Sequence, residues 1–574
     1  MCNVQPMTPD PPRRIPCRRG FSVSYMGKPL LSCVDPIAQG EKLSQALALR
    51  GRTLYYCPSP LFGYGLNLIL NRLPSDSFVL CVETDEQLYA FSLSFFDEKL
   101  LSHPRLRFVR TDDPARLCAY VEDTWGKRAF RRVETIKLSG GWRLFPQIYN
   151  ALAEALEQNI ATEWGNAMTL IRLGRRYSRN TIRNLGLLAG ARSVRALFFD
   201  KPILVLGAGP SLDPALDTIT AYFGGALNTP RADELSQPCL RPFAIICADT
   251  CLPSLYERNI KPDLVIALES QHWNLRDFIG LDRWKIPLAM DLSSLSAHRN
   301  ILGGEVYLFT SFWSSLSLFE RLNAAGLLPA PIPPLGSVGL SAAALALELS
   351  AGKVITCGLD FSFSLDRFHA RSSPGHLEKL RRQNRFRSLL NGEAAFRKGT
   401  FKTLAKNGGR VYSDPGLKSY RDLFEQEFAG NGPRGSGAGK AGRLFDIGGT
   451  GLPLGIPVLS QEEALAALRS SAPPLSAGPV PALPDKALVR SFITGEREKL
   501  TLLKDTLSGA TVVTPASLEG LLDYCSYLWL HFPECAGAGG KRPSAQNASF
   551  LKRVRTEIDP FLRDFDISLQ ELEK

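Results

Sequence analysis

Six short apolar runs recur between residues 203 and 360, "ILVLGAG", "FAIICAD", "LVIALE", "IPLAMD", "VYLFTS" and "VITCGLD", with helix-compatible stretches between them. Runs without polar alternation suit strands buried on both faces, and parallel strands need long crossovers such as helices. The alternation predicts a central α/β domain over 196–465, Rossmann-like, with a mostly parallel sheet and helices on both faces. Ligands of open α/β sheets sit beyond the carboxyl ends of the strands. The polar residues ending these strands therefore make the first set of candidates: Gly207, Gly209, Ser211, Asp249, Glu269, Asp291, Ser311 and Asp360. Any one of them could equally be a helix cap or a turn former.

The remainder of the 574 residues is divided by composition. Residues 1–20, rich in proline and arginine, are expected to be disordered. Residues 21–135 predict a smaller Rossmann-like domain, because "RTLYYC", "PSPLFGYG", "LNLILNRL" and "SFVLCVE" read as strand, turn, helix and strand. Glu83 ends the second strand about 20 positions after Gly63 and Gly65, the spacing of a ribose-binding carboxylate. A structural remnant of such a fold reads the same way. A helical connector is expected over 136–195, a linker over 466–486 and a helical C-terminal domain over 487–574. The stretches 430–443 and 470–485 read as flexible joints.

Apolar content of 44% and charged content of 22% suit a folded soluble chain. The net charge of +12 is concentrated at 13–19, 172–179 and 379–387. It suits an anionic ligand or partner, although solvated surface is the plainer reading, and no nucleic-acid module accompanies it. The 12 cysteines form no CxxC pair, and no signal peptide or spanning segment is evident, so reduced thiols and a cytoplasmic location are expected. With no HExxH or paired CxxC, neither a catalytic metal nor a bound cofactor is expected.

Two glycine turns carry the chemistry. In "GAGPSLD", Gly207 and Gly209 permit close backbone approach, Pro210 suits a first helical position, and Ser211 is placed to cap or to donate to an oxyanion. A purely structural strand-to-helix turn remains open. In "LGSVGLSAAALALELSAGKVITCGLDF", Gly336, Ser337 and Gly339 precede a small-residue helix and form a second anion site at its start.

The runs "LGAGPSLD", "PDLVIALESQHWN", "GSVGLSAAALALELSAGKVITCGLDFSFS" and "HA", in this order, resemble the central domain of the motility accessory factor (Maf) family of flagellin glycosyltransferases. "FGYGLNLILNRL" and "VYSDPGLKSYRDLFEQEF" resemble that family's flanking regions, so the resemblance spans most of residues 50–460. It implies transfer of a nonulosonic acid, a sialic-acid-like sugar, from a CMP-activated donor to flagellin Ser or Thr hydroxyls. The central domain is also similar to bacterial sialyltransferases that use CMP-sialic acid. That likeness implies that Gly207, Gly209, Pro210 and Ser211 meet the CMP ribose and phosphate. It places Ser337 and Gly339 at the phosphate or sugar carboxylate, and Asp360 with Phe361 at the cytosine. Gln271 and Asn274, in the run "ESQHWN" that resembles the Maf family, would bind sugar hydroxyls, with helix capping the simpler reading. Position 208 is alanine where those enzymes carry asparagine, and no tyrosine closely follows "GLDF", which leaves stabilisation of the departing phosphate without a residue.

An acceptor hydroxyl needs a base. His369 leads because imidazole titrates near neutrality and its loop lies on the ligand side, with a surface or capping histidine the plainer reading, and Glu269 and Asp249 compete from their strand ends. Two other functions fit the same turns. One is diphosphate transfer from ATP to 6-hydroxymethyl-dihydropterin, and the other is a non-catalytic flagellin adaptor or chaperone that keeps a nucleotide fold.

Overall fold

The computed structural model describes residues 10–126, 128–224, 227, 241–282, 284–389, 398–429, 442–473, 482–536 and 541–574. The chain divides into two compact units, residues 1–174 with 529–543, and residues 175–528 with 544–574.

The first unit holds a four-stranded parallel sheet, ordered Leu106–Arg110, Phe78–Glu83, Thr53–Pro58, Arg132–Thr135. The first half of a long helix, α1 (Pro146–Asn184), completes its core with Tyr149, Leu152, Leu156 and Ile160 packed among Leu54, Tyr56, Leu80 and Val82. The N-terminus departs from expectation. Arg13–Pro16 is a strand paired antiparallel with Phe21–Tyr25, so residues 10–20 are not a disordered tail; residues 1–9 lie outside the described residues. Side-chain chemistry rather than apolar periodicity fixes this strand: the Arg14 guanidinium stacks on Phe21 and Phe95, and Arg19 pairs with Asp35 at 2.8 Å.

The second unit is built on a ten-stranded, fully parallel sheet. Its strands are β1 (Ile203–Leu206), β2 (Ala244–Ala248), β3 (Leu264–Ala267), β4 (Ile286–Asp291), β5 (Gly303–Ser311), β6 (Ala330–Ile332), β7 (Val354–Cys357), β8 (Leu444–Ile447) and β9 (Val458–Leu459), with Arg192–Ser193 paired to β5. All six predicted strands are present. The spatial order is β6-β5-β4-β3-β2-β1-β7-β8-β9. The chain therefore winds outward from β1 to β6 and then returns to lay β7 on the other side of β1. Successive strands diverge there, and a crevice opens at their carboxyl ends.

Two domain boundaries also differ from the sequence reading. The helical connector is not a separate piece, because from Arg175 onward α1 belongs to the second unit. Its Asn184 amide donates to the carbonyls of Leu292 (2.9 Å) and Ser294 (2.8 Å), and Asn180 donates to Ser293 (3.0 Å). Nor do the C-terminal helices, Lys486–Ser508 and Ala548–Glu571, stand alone. Asp564 is fully buried between Arg179 at 2.6 Å and Arg183 at 2.7 Å, and Glu496 holds Arg321 at 2.6 Å. These bonds join helices far apart in sequence, which composition alone does not reveal. Most of the two expected joints, 430–441 and 474–481, lies outside the described residues.

Removing a buried charge strands its partners, so Asp564→Ala should lower the unfolding free energy by roughly 3 kcal/mol. Denaturant titration checks this, and a loss below about 1 kcal/mol would show that solvent screens both arginines.

Candidate active site at the strand-order reversal

The crevice between β1 and β7 is set by two turns in backbone contact. The Gly207 amide donates to the Cys357 carbonyl at 2.8 Å, and the Gly209 amide to the Gly358 carbonyl at 2.8 Å. A Cβ on Gly207 would lie 2.6 Å from the Gly358 carbonyl oxygen, and one on Gly209 would lie 2.5 Å from an Asp360 carboxylate oxygen. The glycines are thus required for the approach of the neighbouring strand's turn, and the amides of Gly207 and Gly209 are already bonded to it.

Ser211 is similarly engaged. Its amide donates to Asp360 at 2.7 Å, and its hydroxyl donates to the other Asp360 oxygen. Helix α2 (Leu212–Phe223) begins two residues later than expected, so Pro210 precedes the N-cap and is not at the first helical position. Burial raises the Asp360 carboxyl above the usual range, while the Ser211 bond and the nearby Lys406 oppose the shift. Lys406 is itself buried in an ion pair with Asp446, which also accepts from Thr356 at 2.9 Å. The turn "GGTG" closes this cluster from outside: a Cβ on Gly451 would meet the Asp360 Cα at 2.7 Å. Lys406, Asp446 and Gly451 were missed because each lies far along the chain from the turns it joins.

In front of the two turns is a cavity of about 260 Å³, below the ~300–1,000 Å³ common for small-molecule sites, so a larger ligand would extend past its mouth. Of the predicted residues it gathers Gly207, Gly209, Ser337, Gly339, Asp360, Phe361 and His369. Pro210, Ser211, Asp249, Glu269, Gln271 and Asn274 do not line it. A second cavity, about 440 Å³, lies at the amino end of β5 among Arg299, Glu305, Lys486 and Glu571, away from the reversal point.

Helix α3 (Val338–Leu349) turns its amino end toward the first cavity. Ser337 is its N-cap, yet the hydroxyl caps no amide. The first-turn amides have no partner within the helix, and they carry the positive end of its dipole. Helix α4 (Pro415–Phe428) brings Tyr420 against the turn, with its ring 3.1 Å from where a Gly336 Cβ would be. A tyrosine thus packs against the turn before α3, from 60 positions after "GLDF" and hence outside the local spacing, although it does not line the cavity. Burial, with Asp414 adding, raises its phenol pKa, so it stays a proton donor.

The opposite wall is aromatic. Phe363 stacks on Phe368 at 4.4 Å, and Lys379 sits 3.6 Å over Phe368. Phe361, in the left-handed region at φ 47°, turns its ring toward Phe424 instead. For a non-glycine residue that backbone is strained and persists only where its surroundings fix it. His369 follows on the same loop. The Ala370 amide donates to the Ala208 carbonyl at 2.8 Å, and the Arg371 amide donates to Asp213 at 2.9 Å, which fixes the loop against both β1 and α2. Although the ring surfaces on the crevice, protein crowds it on several sides. This desolvation, with the charges of Lys379 and Arg276, lowers its pKa and keeps it neutral and able to accept a proton.

The other proposed bases are placed differently. Glu269 folds back to accept from the amides of Ser270 (2.9 Å) and Gln271 (3.0 Å). Asp249 is buried, accepts from Thr250 through one oxygen and leaves the other unpartnered. Asn274, expected at a sugar, instead donates to Asp277 at 2.8 Å. Asp291 accepts from Ser293 and Ser311 and ties β4 to β5. In the first unit, Glu83 is fully buried and accepts from Ser59 at 2.7 Å and from Tyr149, which makes it a structural carboxylate. Among the described residues no three His, Cys, Asp or Glu side chains converge as a metal cluster, and no helix is long and apolar enough to cross a membrane.

Burial raises Asp249 from 3.8 to about 7, with the Asp277 charge adding, and raises Asp277 to about 6. Because the fold favours their protonated forms, the stability they contribute is complete below their ordinary pKa and is lost as pH rises through about 6 and 7. Asp249→Asn cannot ionise, so its melting temperature should fall less than the wild type's between ~pH 5 and ~pH 8. Parallel melting curves would refute the burial of this pair.

Residues 179–366 match the family described as 6-hydroxymethylpterin diphosphokinase MptE-like. An uncharacterized protein of Treponema pallidum (strain Nichols) is 28% identical over 585 residues, covering 96% of this chain and 95% of that protein. The Maf glycosyltransferase of Magnetospirillum magneticum AMB-1 superposes with a TM-score of 0.52 at 15% identity, covering 98% of this chain and 92% of that one. The chain thus has the fold of a Maf glycosyltransferase along nearly its whole length, with an MptE-like region at the strand-order reversal.

Proposed function

We propose that the chain is a glycosyltransferase that moves an anionic, sialic-acid-like sugar from a CMP-activated donor to a protein hydroxyl, with flagellin as the acceptor that the family resemblance implies. The observation that carries the reading is the pairing, across one cavity, of an uncapped helix N-terminus with a neutral histidine. In this reading the donor phosphate lies at Ser337, Val338 and Gly339, across from the "GAGPS" turn, where the amides of Gly207, Gly209 and Ser211 are already bonded. Charge building on the departing phosphate is stabilised by fixed amide dipoles and by the Tyr420 phenol. His369 accepts the proton of the acceptor hydroxyl as it attacks the anomeric carbon, and the sugar–phosphate bond breaks with its electron pair going to CMP. Asp360 positions the crevice by holding the amide and hydroxyl of Ser211.

Diphosphate transfer from ATP to a pterin is the second reading, favoured by the family match over residues 179–366. The two readings separate on ligand preference. CMP should raise the melting temperature where ATP and NAD do not, since a ligand that binds only the folded state stabilises it. Stabilisation by ATP alone would reverse the assignment.

His369→Ala should lower kcat for transfer by about 10²-fold or more with little change in donor affinity. Tyr420→Phe should lower kcat while leaving the fold intact. Unchanged kcat in both variants, with CMP binding retained, would remove both residues from the mechanism.

A further inference from the structure

The basic cluster "KLRRQNRFR" meets the cavity wall through Lys379, which lies over Phe368, and leads directly away from the site. His369 is followed by helix α5 (Pro374–Arg382), placed in chain order between α3 and α4, and the helix runs out into residues 383–388. Every residue from 379 to 388 is exposed, but the segment is built rather than loose. The Asn384 side chain accepts from the amides of Phe386 (2.9 Å) and Arg387 (3.1 Å), and the backbones of Asn384 and Arg387 exchange two further bonds. This tight turn holds Phe386 outward at 87% exposure. Arg382 pairs with Glu378 at 2.6 Å, whereas Arg381, Arg385 and Arg387 form no ion pair among the described residues.

A second exposed element adjoins it. Arg276, in the 3₁₀ segment His272–Phe278, reaches Glu378 of α5 at 3.6 Å. Side chains three apart in a 3₁₀ helix align, so Trp273, 79% exposed, stands on the same side as Arg276. Exposed aromatic side chains beside unpaired arginines have the composition of protein-interface anchors.

We propose that residues 379–387 are a docking arm for an acidic polypeptide segment, which the arm holds while a hydroxyl of that segment enters the cavity. The last part of this statement rests on the transferase reading above. Charge selects the partner's sign: three cations without counterions gain most from carboxylates. The apolar neighbours select its class, because the aliphatic Leu380 has no stacking use and favours a polypeptide over single-stranded nucleic acid. The arm also lies where a partner is needed, since it continues the loop that carries His369 and its first residue, Lys379, touches the cavity wall at Phe368.

The test uses the full chain with fluorescein-labelled peptides that repeat Asp-Ser-Leu, Asn-Ser-Leu or Lys-Ser-Leu, and with labelled single-stranded DNA. The acidic peptide should bind most tightly and lose affinity with added salt. The combined substitution Arg381→Glu, Arg385→Glu, Arg387→Glu should weaken it by about tenfold or more, and Phe386→Ala should weaken it without changing the salt dependence. Release of CMP from CMP-sialic acid without peptide should be the same in the variants and the wild type. Equal binding of the three peptides, undiminished binding by the triple variant, or arm-dependent preference for DNA would each overturn the proposal. Absence of CMP release from every protein, with arm-dependent peptide binding intact, would instead remove the transferase reading and leave the docking arm standing.

Discussion

The crossing of two glycine turns at the reversal of strand order is the contact on which the second unit depends. β1 and β7 pair along their length and stay in contact beyond it because amides of the β1 turn donate to carbonyls at the end of β7 and in its turn, bonds that form only where no Cβ stands between the chains. Everything at the site is referred to this crossing. Asp360 extends from one turn to hold the start of α2 on the other, Leu359 fills the space left by Gly339, and the Ala370 amide anchors the histidine loop to Ala208. A glycine motif that resembles a phosphate loop is here mainly a joint. The adjacent helix differs, in that its N-cap side chain bonds no amide of its first turn.

This distinction shows what the sequence could and could not reveal. Strand existence was legible because both faces of the central sheet are covered, which leaves uninterrupted apolar runs such as "AIICA". The general position of the site was legible too, since strand ends and glycine turns are local features. What each group bonds to was not. Whether Gly209 donates to a ligand or to the Gly358 carbonyl depends on a strand about 150 residues away, and the same holds for Ser211 and Asp360. Asn274 and Asp249 likewise read as ligand-facing, while tertiary packing turns Asn274 onto Asp277 and buries Asp249 nearby.

The residues overlooked share one property, in that their partners come from other elements. Tyr420 belongs to a helix that follows two further strands, Phe401–Leu404 and Arg410–Ser413, Lys406 lies between those strands, and Asp446 belongs to the strand beyond a glycine-rich stretch. Apolar periodicity marks a helix, but membership in a unit is decided by polar contacts such as those of Asp564, Asn180 and Asn184.

The loop that carries His369 is fastened through main-chain amides at 370 and 371, to Ala208 and Asp213. Main-chain anchors are indifferent to which side chain occupies those positions but strict about how many residues separate them. The histidine is therefore placed by chain length: a single insertion between Asp360 and Ala370 would move the imidazole off the crevice without altering any residue that touches it.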